Sequence, residues 1–167
     1  MIKLGGSPNF LTEFGVCSFN AQDPSDPDRL NTNECEVILD YCDSYFTSWA
    51  WWDANFYYYK NFQINFQLVE VFSRVYPKFT NGIPLNLSFN FTTGRFVYSF
   101  KMNLNKTDSK PTEIFIPAHV YPKGFEVMTN HELAWSFDSF KKTLYLYLKD
   151  EDSPIFYNYF FVVLFKN

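Results

Sequence analysis

Metal-ligating residues are scarce in this sequence. It has two histidines, His119 and His131, and three cysteines, Cys17, Cys35 and Cys42, none in a paired CxxC spacing. With the histidines far along the chain from the cysteines, neither a metal site nor any other cofactor is expected. Positive charge is also in deficit: 14 Lys and Arg stand against 18 Asp and Glu, a formal net charge of -4. A nucleic-acid binder would carry a basic patch or stripe, so that class is excluded. No apolar run is long enough to span a bilayer, and no basic start precedes an apolar h-region. Neither a transmembrane segment nor a signal peptide is visible, and the polypeptide is expected to begin in the middle of something larger. Aromatic residues, by contrast, are abundant. They make up 22% of the 167 residues, with 21 Phe, which a disordered chain would not carry.

An odd cysteine count allows one disulfide and one thiol, with Cys17 bridging a loop to Cys35 or Cys42. Cys35 and Cys42 would share a face of a helix and could equally be small core residues, so both readings stand. Three N-glycosylation sequons occur: Asn86-Leu87-Ser88, Asn90-Phe91-Thr92 and Asn105-Lys106-Thr107. Asn86, Ser88, Asn90 and Thr92 follow strand periodicity, which puts them on one face that must be wet. Cysteines and sequons together favour a secretory or lysosomal setting.

The chain divides into two grammars. Residues 9 to 14 read as a short strand ending at Gly15. The Asp- and Pro-rich stretch from Asp23 to Asp28 reads as a loop. Asn33 and Glu36 form a capping pair for a helix over 34 to 43, with Val37, Ile38 and Tyr41 at helical spacing. Residues 46 to 52 read as a second strand, completing a βαβ unit with parallel pairing. Two strands and one helix leave open sheet edges that a larger sheet should cover. Beyond residue 60, Leu85 to Phe91 and Phe96 to Met102 alternate apolar with polar residues around Thr92-Thr93-Gly94, a hairpin. Further strands are expected at 112–116, 124–128, 132–138, 143–148 and 157–165. This rhythm describes a β-sandwich. The expected fold is therefore α+β: a βαβ part over residues 1–62, then an antiparallel β-sandwich over 63–167.

Glu13 is the leading candidate for chemistry. A carboxylate among aromatics at the C-terminal end of a parallel strand is costly unless paired or functional, and barrel enzymes project catalytic groups from that end. The plain alternative is a solvated strand-end Glu, or one paired with Lys3 or Arg29. Trp49 and Trp51 share one face of the following strand and Trp52 takes the other. An exposed indole beside a carboxylate can floor a sugar ring; a buried Trp pair is the alternative. His131, Glu132 and Trp135 read as an ordinary strand face.

The string Phe10-Leu11-Thr12-Glu13-Phe14-Gly15 resembles strand seven, the nucleophile strand, of clan A (β/α)₈ glycoside hydrolases, and Ser48-Trp49-Ala50-Trp51-Trp52 resembles their strand eight. Arg74-Val75-Tyr76-Pro77-Lys78, Gly82-Ile83-Pro84-Leu85 and Ser88 through Phe96 resemble the opening of the sandwich that follows the barrel in glycoside hydrolase family 5, in its endoglycoceramidase and glucosylceramidase group. The resemblance covers residues 9 to about 100, and the remainder by strand rhythm. It implies that residues 1–62 are the end of a TIM barrel and that Glu13 is the nucleophile of a retaining hydrolase. Trp49, then Trp51, would be the sugar floor. The implied substrate is a glycosphingolipid or another β-glucoside, met at a membrane surface. Such enzymes need a second carboxyl roughly 5 to 5.5 Å away as acid/base. The family supplies it from barrel strand four, and Glu34 and Glu36 are poor substitutes. The 167 residues alone are thus expected to be an inactive fragment, as from a truncated gene model. The competing classes are a glycan- or membrane-binding sandwich module and a β-glucanase on the same barrel.

Overall fold

The computed structural model describes residues 9–15, 18–19, 30–53, 56–57, 61–103, 110–149 and 159–167. Two compact units divide between Phe72 and Ser73.

The first unit is built on a strand–helix–strand crossover. Strands β1 (Phe10–Phe14) and β4 (Ser48–Trp51) pair in parallel, Phe10 opposite Ser48 and Phe14 opposite Trp51. Between them run a two-residue antiparallel pair, β2 (Ser18–Phe19) with β3 (Leu30–Asn31), and helix α1 (Asn33–Ser44). The expected loop from Asp23 to Asp28 lies outside the described residues. Helix α1 begins one residue earlier than the Asn33–Glu36 cap implied. The Thr32 carbonyl accepts the first helical bond from Glu36 N at 2.9 Å, and Thr32 Oγ1 donates to the Glu36 carboxylate at 2.5 Å. Its buried stripe also differs from the expected one. Cys35, Leu39 and Cys42, at i, i+4 and i+7, are buried, whereas Val37 and Tyr41 are exposed. Tyr41 lies along the outer face beside Tyr45, their ring centroids 4.4 Å apart. Cys35 is disulfide-bonded and Cys42 is buried as a thiol; Cys17 lies outside the described residues.

A second helix, α2 (Phe66–Phe72), adds to the elements expected from the sequence. Asn65 starts it, its side-chain oxygen accepting from Leu68 N at 3.4 Å, and Leu68 and Val71 are buried. The first unit therefore runs past the boundary expected after residue 62. Phe72 explains the extension, since its ring joins those of Phe14, Trp49 and Trp51.

Among the described residues the second unit has eight strands: β5 (Tyr76–Phe79), β6 (Gly82–Asn90), β7 (Arg95–Met102), β8 (Thr112–Phe115), β9 (Phe125–Thr129), β10 (Leu133–Asp138), β11 (Thr143–Leu148) and β12 (Tyr159–Lys166). They form two four-stranded antiparallel sheets, ordered β10-β11-β8-β5 and β6-β7-β12-β9. β5, whose strand pattern Pro77 masks, is an edge strand, the place where Pro77 costs no ladder bond. Gly94, at φ 67, turns the β6–β7 hairpin, a backbone conformation that a side chain would oppose.

The alternation read in the sequence becomes the core. Phe96, Tyr98, Phe100 and Met102 point inward from β7, with Phe160, Val162 and Leu164 beside them on β12. Ile114, Leu144 and Leu146 are fully buried on the other sheet, and Phe125 meets Phe137 across the two sheets at 5.1 Å.

Two phenols are held inside this core. Tyr98 OH shares a 2.6 Å hydrogen bond with Thr80 Oγ1, and Tyr121 OH donates to the Gly94 carbonyl at 2.7 Å. Burial raises both pKa values, that of Tyr98 to about 12 despite the opposing Thr80 bond. A raised folded-state pKa means the folded form holds its proton more tightly. Its stabilisation is complete below the unfolded value of 10 and drains away as pH climbs towards the folded value. Each tyrosine is expected to cost stability at about 1.4 kcal/mol per pH unit in that window. Urea unfolding at stepped alkaline pH measures this, and Tyr121→Phe should flatten the slope.

Candidate functional site

The C-terminal ends of the parallel strands β1 and β4 meet at a short stretch of backbone. Trp52 N donates to the Phe14 carbonyl at 2.8 Å, and a Cβ on Gly15 would lie 2.2 Å from the Trp52 carbonyl oxygen. Only glycine allows that approach. The Trp52–Asp53 peptide is cis. The β1–β4 ladder is irregular between Leu11 and Phe14, the interval that contains Thr12 and Glu13. Such bulges re-aim side chains and are frequent beside active sites. Glu13 is exposed here, one residue before the buried Phe14.

Of the tryptophans at 49, 51 and 52, the exposed one is Trp52, at 67%. Trp49 and Trp51, expected as the sugar floor, are half-buried and pack against other rings. Trp49 meets Phe14 edge-on at 5.9 Å, while Trp51 stacks on Phe72 at 4.4 Å and meets Phe56 at 5.1 Å. The buried Trp51 Nε1 has no hydrogen-bond partner among the described residues. Period-two alternation correctly places Trp49 and Trp51 on one face. It does not reveal that α2 arrives to cover that face, and this leaves the free indole to Trp52.

Glu13 and Trp52 are thus both exposed at the C-terminal end of the β1–β4 pair. Glu34 is exposed and Glu36 is held by Thr32, both in the first turn of α1. Lys3 and Arg29, the alternative partners of Glu13, lie outside the described residues. Among the described residues no group of three or more His, Cys, Asp or Glu could hold a metal ion. No helix among them is long and apolar enough to cross a membrane.

In the second unit Asn86 and Asn90 are exposed on β6, opposite Ser99 and Arg95. Asn90 Oδ1 accepts from Thr93 N at 2.8 Å. Asn105 lies outside the described residues. His131 and Trp135, read as an ordinary strand face, line an open groove of about 510 Å³ with Met128 and Lys149.

Residues 74–155 match the sequence family described as the glycoside hydrolase family 5 C-terminal domain. No curated protein sequence matches the chain. Among solved structures the chain is similar to endo-glycoceramidase II from Rhodococcus sp., with a TM-score of 0.69 at 19% identity, over 98% of this chain and 34% of that one. It is also similar to sterylglucosidase 1 from Cryptococcus neoformans, with a TM-score of 0.71 at 16% identity, over 98% of this chain and 29% of that one. At such identities the likeness is one of fold. The chain spans about a third of the length of the structures it matches.

Proposed function

Taking residues 74–155 as a glycoside hydrolase family 5 C-terminal domain, we propose that this chain is the C-terminal part of a retaining β-glycosidase acting on sugars linked to a lipid. The observation that carries the reading is the juxtaposition of exposed Glu13 and exposed Trp52 at the C-terminal ends of neighbouring parallel strands. That end is where barrel enzymes assemble their active sites. The state of the sheet supports the same reading. Parallel sheets are normally covered on both faces, yet Phe10 in β1 is 58% exposed and the β1–β4 pair gains no third strand among the described residues. Six further barrel strands, supplied by the rest of the enzyme, would close it.

In the proposed mechanism the Glu13 carboxylate attacks the anomeric carbon. The bond from that carbon to the aglycone oxygen breaks as a second carboxyl group, contributed from outside these residues, protonates the leaving oxygen. Water, deprotonated by that second group, then attacks the same carbon and releases Glu13, so the configuration is retained. Trp52 floors the sugar with its indole face and Trp49 and Trp51 hold the strand beneath it. Both structural relatives named above act on sugars joined to bulky apolar aglycones by their own descriptions, which supports a lipid aglycone, ceramide or sterol, here. The site needs no metal or organic cofactor for this chemistry. Secretion or lysosomal delivery, with glycans on Asn86, Asn90 and Asn105, belongs to the same proposal.

The test is replacement of Glu13 in the full-length enzyme carrying this chain. Release of glucose from glucosylceramide or a sterylglucoside should be lost while thermal unfolding stays unchanged. Undiminished turnover would remove Glu13 from the mechanism.

A further inference from the structure

Phe140 is 93% exposed, the most exposed large apolar side chain among the described residues. It sits at the tip of the β10–β11 hairpin in the string Asp138-Ser139-Phe140-Lys141-Lys142. The tip is a built turn. Asp138 Oδ1 accepts from Phe140 N and from Lys141 N, each at 2.9 Å, and Lys142 takes φ 53. These bonds hold the phenyl ring out in water, where it gains nothing by itself. The Asp138 carboxylate is taken up by the turn, with Lys141 Nζ 3.9 Å away and its side chain 63% exposed.

The end of the sandwich that carries this tip is basic, although the chain as a whole is acidic. Lys142 O accepts from Ile116 N, Tyr121 OH reaches Gly94 O, and Lys166 pairs opposite Phe125 while its side chain lies against Gly94. The 91–94 turn, the 117–124 loop, the end of β12 and the hairpin tip therefore close the same end. Arg95, Lys123, Lys141, Lys142 and Lys166 gather there against Glu126 and the engaged Asp138, in a chain whose net charge is -4. A protruding phenyl ring at an end rich in cationic side chains complements a bilayer with anionic headgroups: the phenyl group enters the acyl boundary and the ammonium groups stay at the phosphate level.

We infer that this end of the β-sandwich is a membrane-docking surface, with Phe140 as the inserted residue and Lys141 and Lys142 as its contacts to anionic lipid. The inference goes beyond the glycosidase reading and does not depend on it, because docking is measured without turnover. The experiment is co-sedimentation of the 167-residue chain with vesicles of phosphatidylcholine and phosphatidylserine in equal parts, against pure phosphatidylcholine. The chain should partition onto the mixed vesicles at low salt and much less onto the neutral ones. Phe140→Ala should lower partitioning about tenfold. Lys141→Ala with Lys142→Ala should lower it about twenty-five-fold, roughly fivefold per lysine, and added salt should mimic that loss. Tyr147→Ala, on the same hairpin away from the tip, should leave it unchanged. Three results would each overturn the inference. They are no preference for the anionic vesicles, a preference that survives both tip variants, or a tip whose loss only dissolves a complex between copies of the chain.

Discussion

Glu13→Gln in the full-length enzyme is expected to lower kcat on a lipid-linked β-glucoside on the order of 10⁴-fold or more, the scale seen when a nucleophile is removed from its catalytic unit. Gln keeps the size and polarity of the side chain and removes the anionic oxygen that would bond to the anomeric carbon. The fold should not respond, because Glu13 is an exposed side chain on an irregular strand. A chemical rescue separates this role from a structural one. With Glu13→Ala and an activated aryl β-glucoside, azide can take the vacated place and displace the leaving group directly. The product would be the α-glucosyl azide, of inverted configuration. Trp52→Ala should act differently, raising KM more than it lowers kcat, because stacking on a sugar face is present in the ground state as well as the transition state.

The second large effect is on stability. Phe100→Ala should destabilise the β-sandwich by about 3–5 kcal/mol, the range for removing a buried phenyl ring and leaving its cavity. Phe100 is fully buried between Tyr98 at 5.4 Å and Phe160 at 6.1 Å, within stacked rings that have little freedom to collapse. At about 4–8 °C per kcal/mol for a domain of this size, its Tm should fall by tens of degrees. Differential scanning calorimetry measures it. Phe140→Ala provides the contrast, since a ring already in water leaves no cavity and should move Tm by little.

Local pattern carried the sandwich well. The alternation of Phe96, Tyr98, Phe100 and Met102 names the inward face of β7, and Gly94 marks the hairpin turn, because both signals arise from one strand and its immediate neighbours. β5 escaped because Pro77 argues against a strand, and only an edge position admits it. Helix α2 escaped because its seven residues are too short for a clear helical period; Asn65 ahead of an apolar run was the available signal. The buried face of α1 is set by tertiary packing. Val37 and Tyr41 have helical spacing as good as that of Cys35, Leu39 and Cys42, and only packing decides which stripe turns inward. The same holds at the site. The strand-end position of Glu13 and Gly15 is legible in the sequence, while the packing of Trp49 and Trp51 depends on where Phe72 sits, which lies outside the β4 segment.

Covalent trapping would identify the carboxylate that attacks the sugar. The full-length enzyme would be inactivated with a 2-deoxy-2-fluoro-β-glucoside bearing a good leaving group, digested, and the labelled peptide sequenced by mass spectrometry. The fluorine slows hydrolysis of the glycosyl-enzyme, so the attacked residue keeps the sugar. The label is expected on Glu13, within Phe10-Leu11-Thr12-Glu13-Phe14-Gly15. A label on any other carboxylate, or hydrolysis with inversion and no label at all, would contradict it.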